Sequence, residues 1–277
     1  MEAVLWSLFP IITILTFTGV DPLFSAGLST LTAALFFAIM MTLQRKWKEL
    51  LVTAAWKYIL IATFFIAFLY YPLVFWGTSL TTANTVGILL LMEVFFTQAI
   101  LGAWGKETLN RRQVFGSLFM VVGASFILFP GRLDLNVGAL IILLANAVPP
   151  VGNYYAQQAR LLVSSSTIMF VRSLIGGMVL IIFASCMGPL PRYEMIQIAA
   201  PFLFINGFLL LGLSKIFWIE AIHRITISKA ASLGSITPLF TMFFAFLILS
   251  EVPTIWQLAG LVPIVIGVNL LIYRKRA

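Results

Sequence analysis

The chain has 277 residues, 61% of them hydrophobic and only 9% charged, with a mean hydropathy of +1.08. Soluble domains carry about 25% charged residues, so this composition cannot cover a water-facing surface and places nearly the whole chain in a bilayer. The net charge of +8 is then a matter of membrane topology and gives no ground for a nucleic-acid partner.

Cutting the chain at its charge and Gly/Pro clusters predicts ten helices of about 20 residues, enough to cross roughly 30 Å of hydrocarbon. They run near 4–21, 24–43, 57–77, 82–104, 111–130, 137–157, 166–187, 196–217, 228–249 and 254–273. Backbone groups in lipid must be satisfied within the spanning structure, and these continuous runs suit helices rather than the short alternating segments of a barrel. The fold class is therefore an all-α integral membrane protein. The first span has neither a basic leader nor a cleavage site and reads as retained structure.

With the N-terminus inside, the cytoplasmic segments collect fourteen of the Lys and Arg residues, Lys215 among them, and the opposite side only Arg132 and Arg192. Short loops rich in Lys and Arg stay in the cytoplasm, so both termini are expected there, in a cytoplasmic (inner) membrane.

Several polar positions stand out along the spans. In the first and third, Trp6, Tyr70, Tyr71 and Trp76 offer either an aromatic box for a cation or an interfacial belt. Asp21-Pro22 reads as the cap of the second helix. The fourth carries Glu93 near the middle of VGILLLMEVFFTQAILGAW (86–104). The sixth, LLANAVPPVGNYYAQQARLL (143–162), sets Asn146, Pro149, Pro150, Asn153 and Gln157 along one stripe with Tyr154 at its edge. Pro150 removes a backbone donor there and frees carbonyls. Pocket lining and interhelix hydrogen bonding both fit Asn153, Tyr154 and Gln157. The seventh span carries Arg172, and the eighth carries Asn206, which suits helix glue as well as a ligand. His223, with Glu220 and Arg224, is expected in a cytoplasmic loop.

An ionised side chain at the bilayer centre costs about 2.5–3.5 kcal/mol on insertion scales, so such groups face protein or a water-filled cavity. Glu93 could line a substrate cavity, binding a cationic group or exchanging a proton. It could equally be fixed between helices, ion-paired with Arg172. Arg172 could also snorkel to the cytoplasmic headgroups.

With one His and one Cys, neither a zinc site nor a Cys/His couple can be assembled. Cys186 alone excludes an intrachain disulfide. No GxxxxGK[ST] loop is present for ATP. The expectation is a non-enzyme with no metal and no cofactor.

Shifting the chain by 144 residues aligns 75–127 with 219–271, so that Glu107, Gln113, Gly116 and Gly123 fall on Glu251, Gln257, Gly260 and Gly267. Glu107 and Glu251 precede the fifth and tenth helices, where a carboxylate favours the positive dipole end. The glycines share a helical face and allow close approach. Five spans in each half, 1–133 and 134–277, make the second copy enter the membrane inverted, as in many secondary transporters.

The segment ISKAASLGSITPLFTMFFAFLILSEVPTIWQLAGLVPIVIGVNLL (227–271) resembles the repeat of the drug/metabolite transporter superfamily, EamA branch: small residues, Thr237-Pro238 in mid-helix, Glu251, then glycines. The first half carries a degraded copy with Glu93 and Val94 at the Thr-Pro position. The resemblance implies ten helices in inverted five-helix repeats, carrying a small polar or amphipathic metabolite outward. It sets the first, third and fourth helices of each repeat around a midplane cavity, with alternating access. Substrate contacts are expected from Glu93, Asn153, Tyr154, Gln157, Arg172, Asn206 and Trp6, with proton coupling through Glu93. An amino acid is the leading substrate. Other readings are uptake of choline or another quaternary amine, or a non-transporting membrane subunit or lipid-handling scaffold. Expected partners are the small-molecule substrate, the lipid bilayer and protons, in a monomer or homodimer.

Overall fold

A computed structural model describes residues 2–105, 111–130 and 135–272. In chain order its helices are α1 (Glu2–Thr16), α2 (Pro22–Leu43), α3 (Thr53–Ser79), α4 (Ala83–Ala103) and α5 (Arg111–Leu128). There follow α6 (Val137–Arg160), α7 (Ser165–Met187), α8 (Tyr193–Arg224), α9 in two pieces (Ile227–Leu233 and Thr237–Leu249) and α10 (Ile255–Ile272). No strand occurs among the described residues. Six of the helices, α2, α3, α4, α6, α7 and α8, are long and apolar enough to cross a membrane, and the others are shorter apolar helices.

The irregular helices are a distinct subset. Among the described residues, α1 is interrupted at Leu8, α4 at 90–91, α6 at 146–148 and α9 at Gly234–Ile236, while α3 and α8 hold π-helical stretches at Phe64–Tyr70 and Ile205–Leu213. Proline explains three of the four breaks. It lacks an N–H and its ring clashes with the carbonyl four residues earlier, which sets breaks one turn before Pro10, Pro150 and Pro238. The α4 break has no proline; there Leu91, Glu93 and Val94 bond three residues back, to Ile88, Leu90 and Leu91, a locally tightened turn.

At two of these breaks a carbonyl finds a partner on a neighbouring helix. Asn146 Nδ2 donates to Leu89 O at 3.1 Å, across to the α4 break, and Thr241 Oγ1 donates to Ser7 O at 3.0 Å, across to the α1 break.

The unbroken helices pair: α2 packs along α7, and α5 along α10. In the second pair glycines meet backbone to backbone. A Cβ on Gly123 would lie 2.5 Å from Gly260 O, and one on Gly267 would lie 2.5 Å from Gly116 O. The opposite flank of α5 exposes Phe115, Leu118 and Phe119, which suits lipid.

Glu251 corrects the dipole reading. Its carboxylate accepts the N–H groups of Ala83 at 3.0 Å and Asn84 at 2.9 Å, so it caps α4 rather than its own α10. Gln257 Nε2 donates to Thr82 and Thr85 Oγ1, both at 2.9 Å, at the same helix start. The start of α10 is closed instead by Thr254 and Gln257, whose side chains accept from each other's N–H. Glu107 lies outside the described residues, as does the side chain of Gln113.

Asp21 caps α2 as the sequence suggests. Asp21 Oδ1 accepts from Leu23 N at 2.8 Å. At the start of α7, Glu49 on the 3-10 turn Trp47–Leu51 accepts from Ser164 N and Thr167 Oγ1, both at 2.7 Å, and meets Lys46 at 3.0 Å. Partial burial opposes ionisation of Glu49, but the hydrogen bonds from Ser164, Thr167 and Lys46 outweigh it and hold the carboxyl at about 2.

Two outcomes are expected. Gly123→Ala or Gly267→Ala forces the α5–α10 backbones apart and costs about 1–3 kcal/mol, the usual price of overpacking, read as a lower thermal midpoint in detergent; an unchanged midpoint refutes the close contact. Glu49 has a folded pKa of about 2, below its ordinary 4.5, so its contribution is full above pH 4.5 and fades as pH falls toward 2. Glu49→Gln should therefore cost on the order of 2 kcal/mol at neutral pH, and the deficit should shrink at pH 3. A deficit independent of pH contradicts the capping account.

Candidate functional site

The broken and π-bulged helices surround a cavity that opens to its surroundings, with about 720 Å³ of unfilled space between and in front of its walls, open solvent included. Its wall is formed by α1, α3, α4, α6, α8 and α9, with Arg172 reaching in from α7. The breaks place polar side chains here because each interrupts a helix at cavity depth. Glu93 follows the α4 break, Pro149 and Asn153 follow the α6 break, and Thr237 follows the α9 break.

A chain of contacts crosses the site. Asn153 Nδ2 donates to Glu93 Oε1 at 3.0 Å, and Asn153 Oδ1 accepts from Trp218 Nε1 at 3.1 Å. One amide thus links α4, α6 and α8 and fixes the orientation of both neighbours. Beyond Trp218, Lys215 Nζ sits 3.0 Å from the centroid of the Trp6 ring and 3.7 Å from Glu2 Oε1. Trp6 is stacked on Phe9 with ring centroids 4.3 Å apart.

Arg172 is only 3% exposed. Its Nη2 donates to Tyr71 OH at 3.4 Å, a long bond, and its Nε has no partner among the described residues. No ion pair joins Arg172 to Glu93 or to any other described residue, nor does one hold Glu93. Direct Glu93–Arg172 pairing is therefore absent, and a buried guanidinium does not snorkel to headgroups.

Of the residues singled out in the sequence, Glu93, Asn153, Arg172 and Trp6 line this one cavity. Tyr154 does not; its ring packs against Trp104 and Tyr155 at 5.8 and 5.5 Å. Gln157 Nε2 donates to Ile222 O, tying α6 to α8 away from the cavity wall. Asn206 Nδ2 donates to Thr13 Oγ1 at 3.1 Å, joining α8 to α1. Tyr70 and Tyr71 line the cavity, whereas Trp76 is 53% exposed and suits the belt.

Sequence reasoning missed Glu2, Lys215 and Trp218. Lys215, counted above with the cytoplasmic cations, is instead buried in the cavity wall. The reason is the length of α8, which continues to Arg224 and puts Lys215 about two and a half turns inside its end. The missed signal is the Lys215/Trp218 spacing of three, which puts a cation and an indole on one face. The same extension places His223 and Glu220 on α8 rather than in a loop. Glu220 takes Arg160 at 2.9 Å, Arg224 at 3.8 Å and the Ser165 hydroxyl, binding the adjoining ends of α6, α7 and α8.

The arrangement holds two carboxylates, an ammonium and a guanidinium among aromatic walls. No group of three or more His, Cys, Asp or Glu suited to a metal ion occurs among the described residues. What the cavity can do is bind a small solute with both polar and apolar parts.

Comparison with known proteins agrees with this picture. A solved crystal structure of another protein superposes with a TM-score of 0.69 over 98% of this chain and 94% of that one, at 15% identity, a likeness of fold alone. No curated relative matches. The EamA-like transporter family matches twice, over residues 1–129 and again over 136–273. The chain is a multi-pass membrane transporter of the drug/metabolite type and belongs to the EamA-like transporter family.

Proposed function

We propose that the protein is a secondary transporter for a small zwitterionic metabolite of the amino-acid kind, held by its ammonium at Glu93 and its carboxylate at Arg172. The observation that carries this reading is that both charged groups line one cavity and neither has an ion-pair partner among the described residues. A buried charge without a partner costs several kcal/mol, and a ligand of opposite charge recovers much of it. A solute bearing both charges answers both groups at once. Tyr70, Tyr71 and Trp6 supply walls for an apolar side chain.

The transport cycle proposed is alternating access between two inverted five-helix repeats, 1–133 and 134–277, with all ten helices crossing the bilayer. Two observations support it. The interrupted and π-helical elements are the first, third and fourth helices of each half, and they enclose the cavity. The α5–α10 contact is reciprocal under the 144-residue shift, because Gly123 meets Gly260 while Gly116 meets Gly267. An interface in which i meets j while j meets i is what a two-fold relation produces. The excess of Lys and Arg on one side supports a topology with both termini in the cytoplasm; an inner membrane and export are taken from the family resemblance, and Glu93 is assigned any coupled proton.

The test is counterflow of labelled neutral amino acids in proteoliposomes, with and without a pH gradient. Glu93→Gln and Arg172→Gln should each lower flux at least about tenfold, the loss expected for a charged hydrogen-bond partner. No counterflow of any zwitterion by the unaltered protein refutes the reading. Normal flux by Glu93→Gln across a pH series removes Glu93 from the mechanism.

A further inference from the structure

Lys215 occupies a place built for a free cation. Its Nζ lies 3.0 Å from the Trp6 ring centroid, 5.9 Å from that of Trp218 and 3.7 Å from Glu2 Oε1. The residue is 9% exposed. An acid and two indole faces around an ammonium are the elements that recognise quaternary and methylated amines elsewhere.

The walls of this box do not depend on Lys215. Trp6 is fixed by its stack on Phe9, with planes 13° apart. Trp218 is fixed through its N–H on Asn153, which also holds Glu93 at the edge of the box. Withdrawing the lysine would leave two indoles and the Glu2 carboxylate in place, with the Glu93 carboxylate nearby and Arg172 as the one remaining cation among the described residues that line the cavity. The lysine arrives on a flexible four-carbon stem from α8, a compact point charge that can be replaced by another ammonium without rebuilding the walls.

We propose that Lys215 is a tethered occupant of a cation site and, by filling it, the residue that excludes organic cations from the cavity. Glu93 and Arg172 stay available for a zwitterion, while a choline-like solute meets an ammonium already in its place. The exclusion has its biological sense in the transport reading above, but the site itself stands independently of flux. An ion pair that merely closes the mouth of the cavity makes a different prediction, because its removal would loosen the structure without creating a binding site.

Tetramethylammonium chloride is the probe, titrated into the purified full-length protein against matched sodium chloride and read by tryptophan fluorescence and thermal shift. The unaltered protein should respond weakly. Lys215→Met and Lys215→Gln should bind tetramethylammonium at least about tenfold more tightly, the gain a desolvated cation–π site provides. Adding Trp6→Leu should abolish the gain, and Lys215→Arg should retain the exclusion. The proposal is overturned if neither neutral variant binds better than the unaltered protein, if the unaltered protein already binds as tightly, or if the gain survives Trp6→Leu. Failure of zwitterion counterflow would sink the transport reading and leave this binding result legible.

Discussion

Every irregular helix here must answer one constraint: a backbone group freed inside the bilayer needs a partner supplied by the protein. At two of the breaks described, another helix presents the donor. Asn146 serves the carbonyl at the α4 break and Thr241 the carbonyl at the α1 break. Asn146 sits at the α6 break, and Thr241 lies one turn into the second piece of α9. Breaks and their donors thus interlock in pairs, α6 serving α4 and α9 serving α1. Cavity and scaffold are one problem, because the side chains that satisfy the irregular backbone are neighbours of those that line the cavity.

The division of labour among helices follows. Where α2 meets α7 and α5 meets α10, the contact runs along unbroken helices, and small residues let backbones approach in place of a hydrophobic drive that lipid cannot supply. The broken and π-bulged helices supply the polar residues that line the cavity, apart from Arg172 of α7. Glu251 and Gln257 connect the two groups, because they lie at the start of α10 and close the start of α4. A change of tilt between α10 and α4 would therefore act directly on the helix that carries Glu93.

Much of this was legible in the sequence, for a physical reason. Hydropathy reports solvent, so the spans emerged from composition, and an acid in mid-span is costly enough that Glu93 had to face protein or a cavity. The α6 stripe showed which residues share a face, but not how far along the helix the cavity extends. Asn153 is within it, whereas Tyr154 and Gln157 lie beyond it. Glu2 looked like a terminal residue, and Lys215 like one more basic residue near a span end. Both belong to the cavity because α8 runs longer than its hydropathy suggests and α1 begins beside it. Glu251 was read against its own helix because dipole reasoning is local, while its partners, Ala83 and Asn84, lie in the other half of the chain. The irregular stretch in α4 left no sequence mark, since Val94 stands where proline would have announced it.

The formal charges of the cavity suggest why a zwitterion and a tethered lysine belong together. Glu2 and Glu93 balance Lys215 and Arg172, so the empty site is formally neutral. A zwitterion adds no net charge, and loaded and empty carriers then differ little in the work done against the membrane potential. A cation in place of the zwitterion would add a full charge, worth about 2.3 kcal/mol for each 100 mV it crosses. For an exporter working against an inside-negative potential, that work opposes transport. On the proposed reading, filling the acid–aromatic box with an ammonium that cannot leave would withdraw a cation site from the cavity while leaving Glu93 for the zwitterion's ammonium.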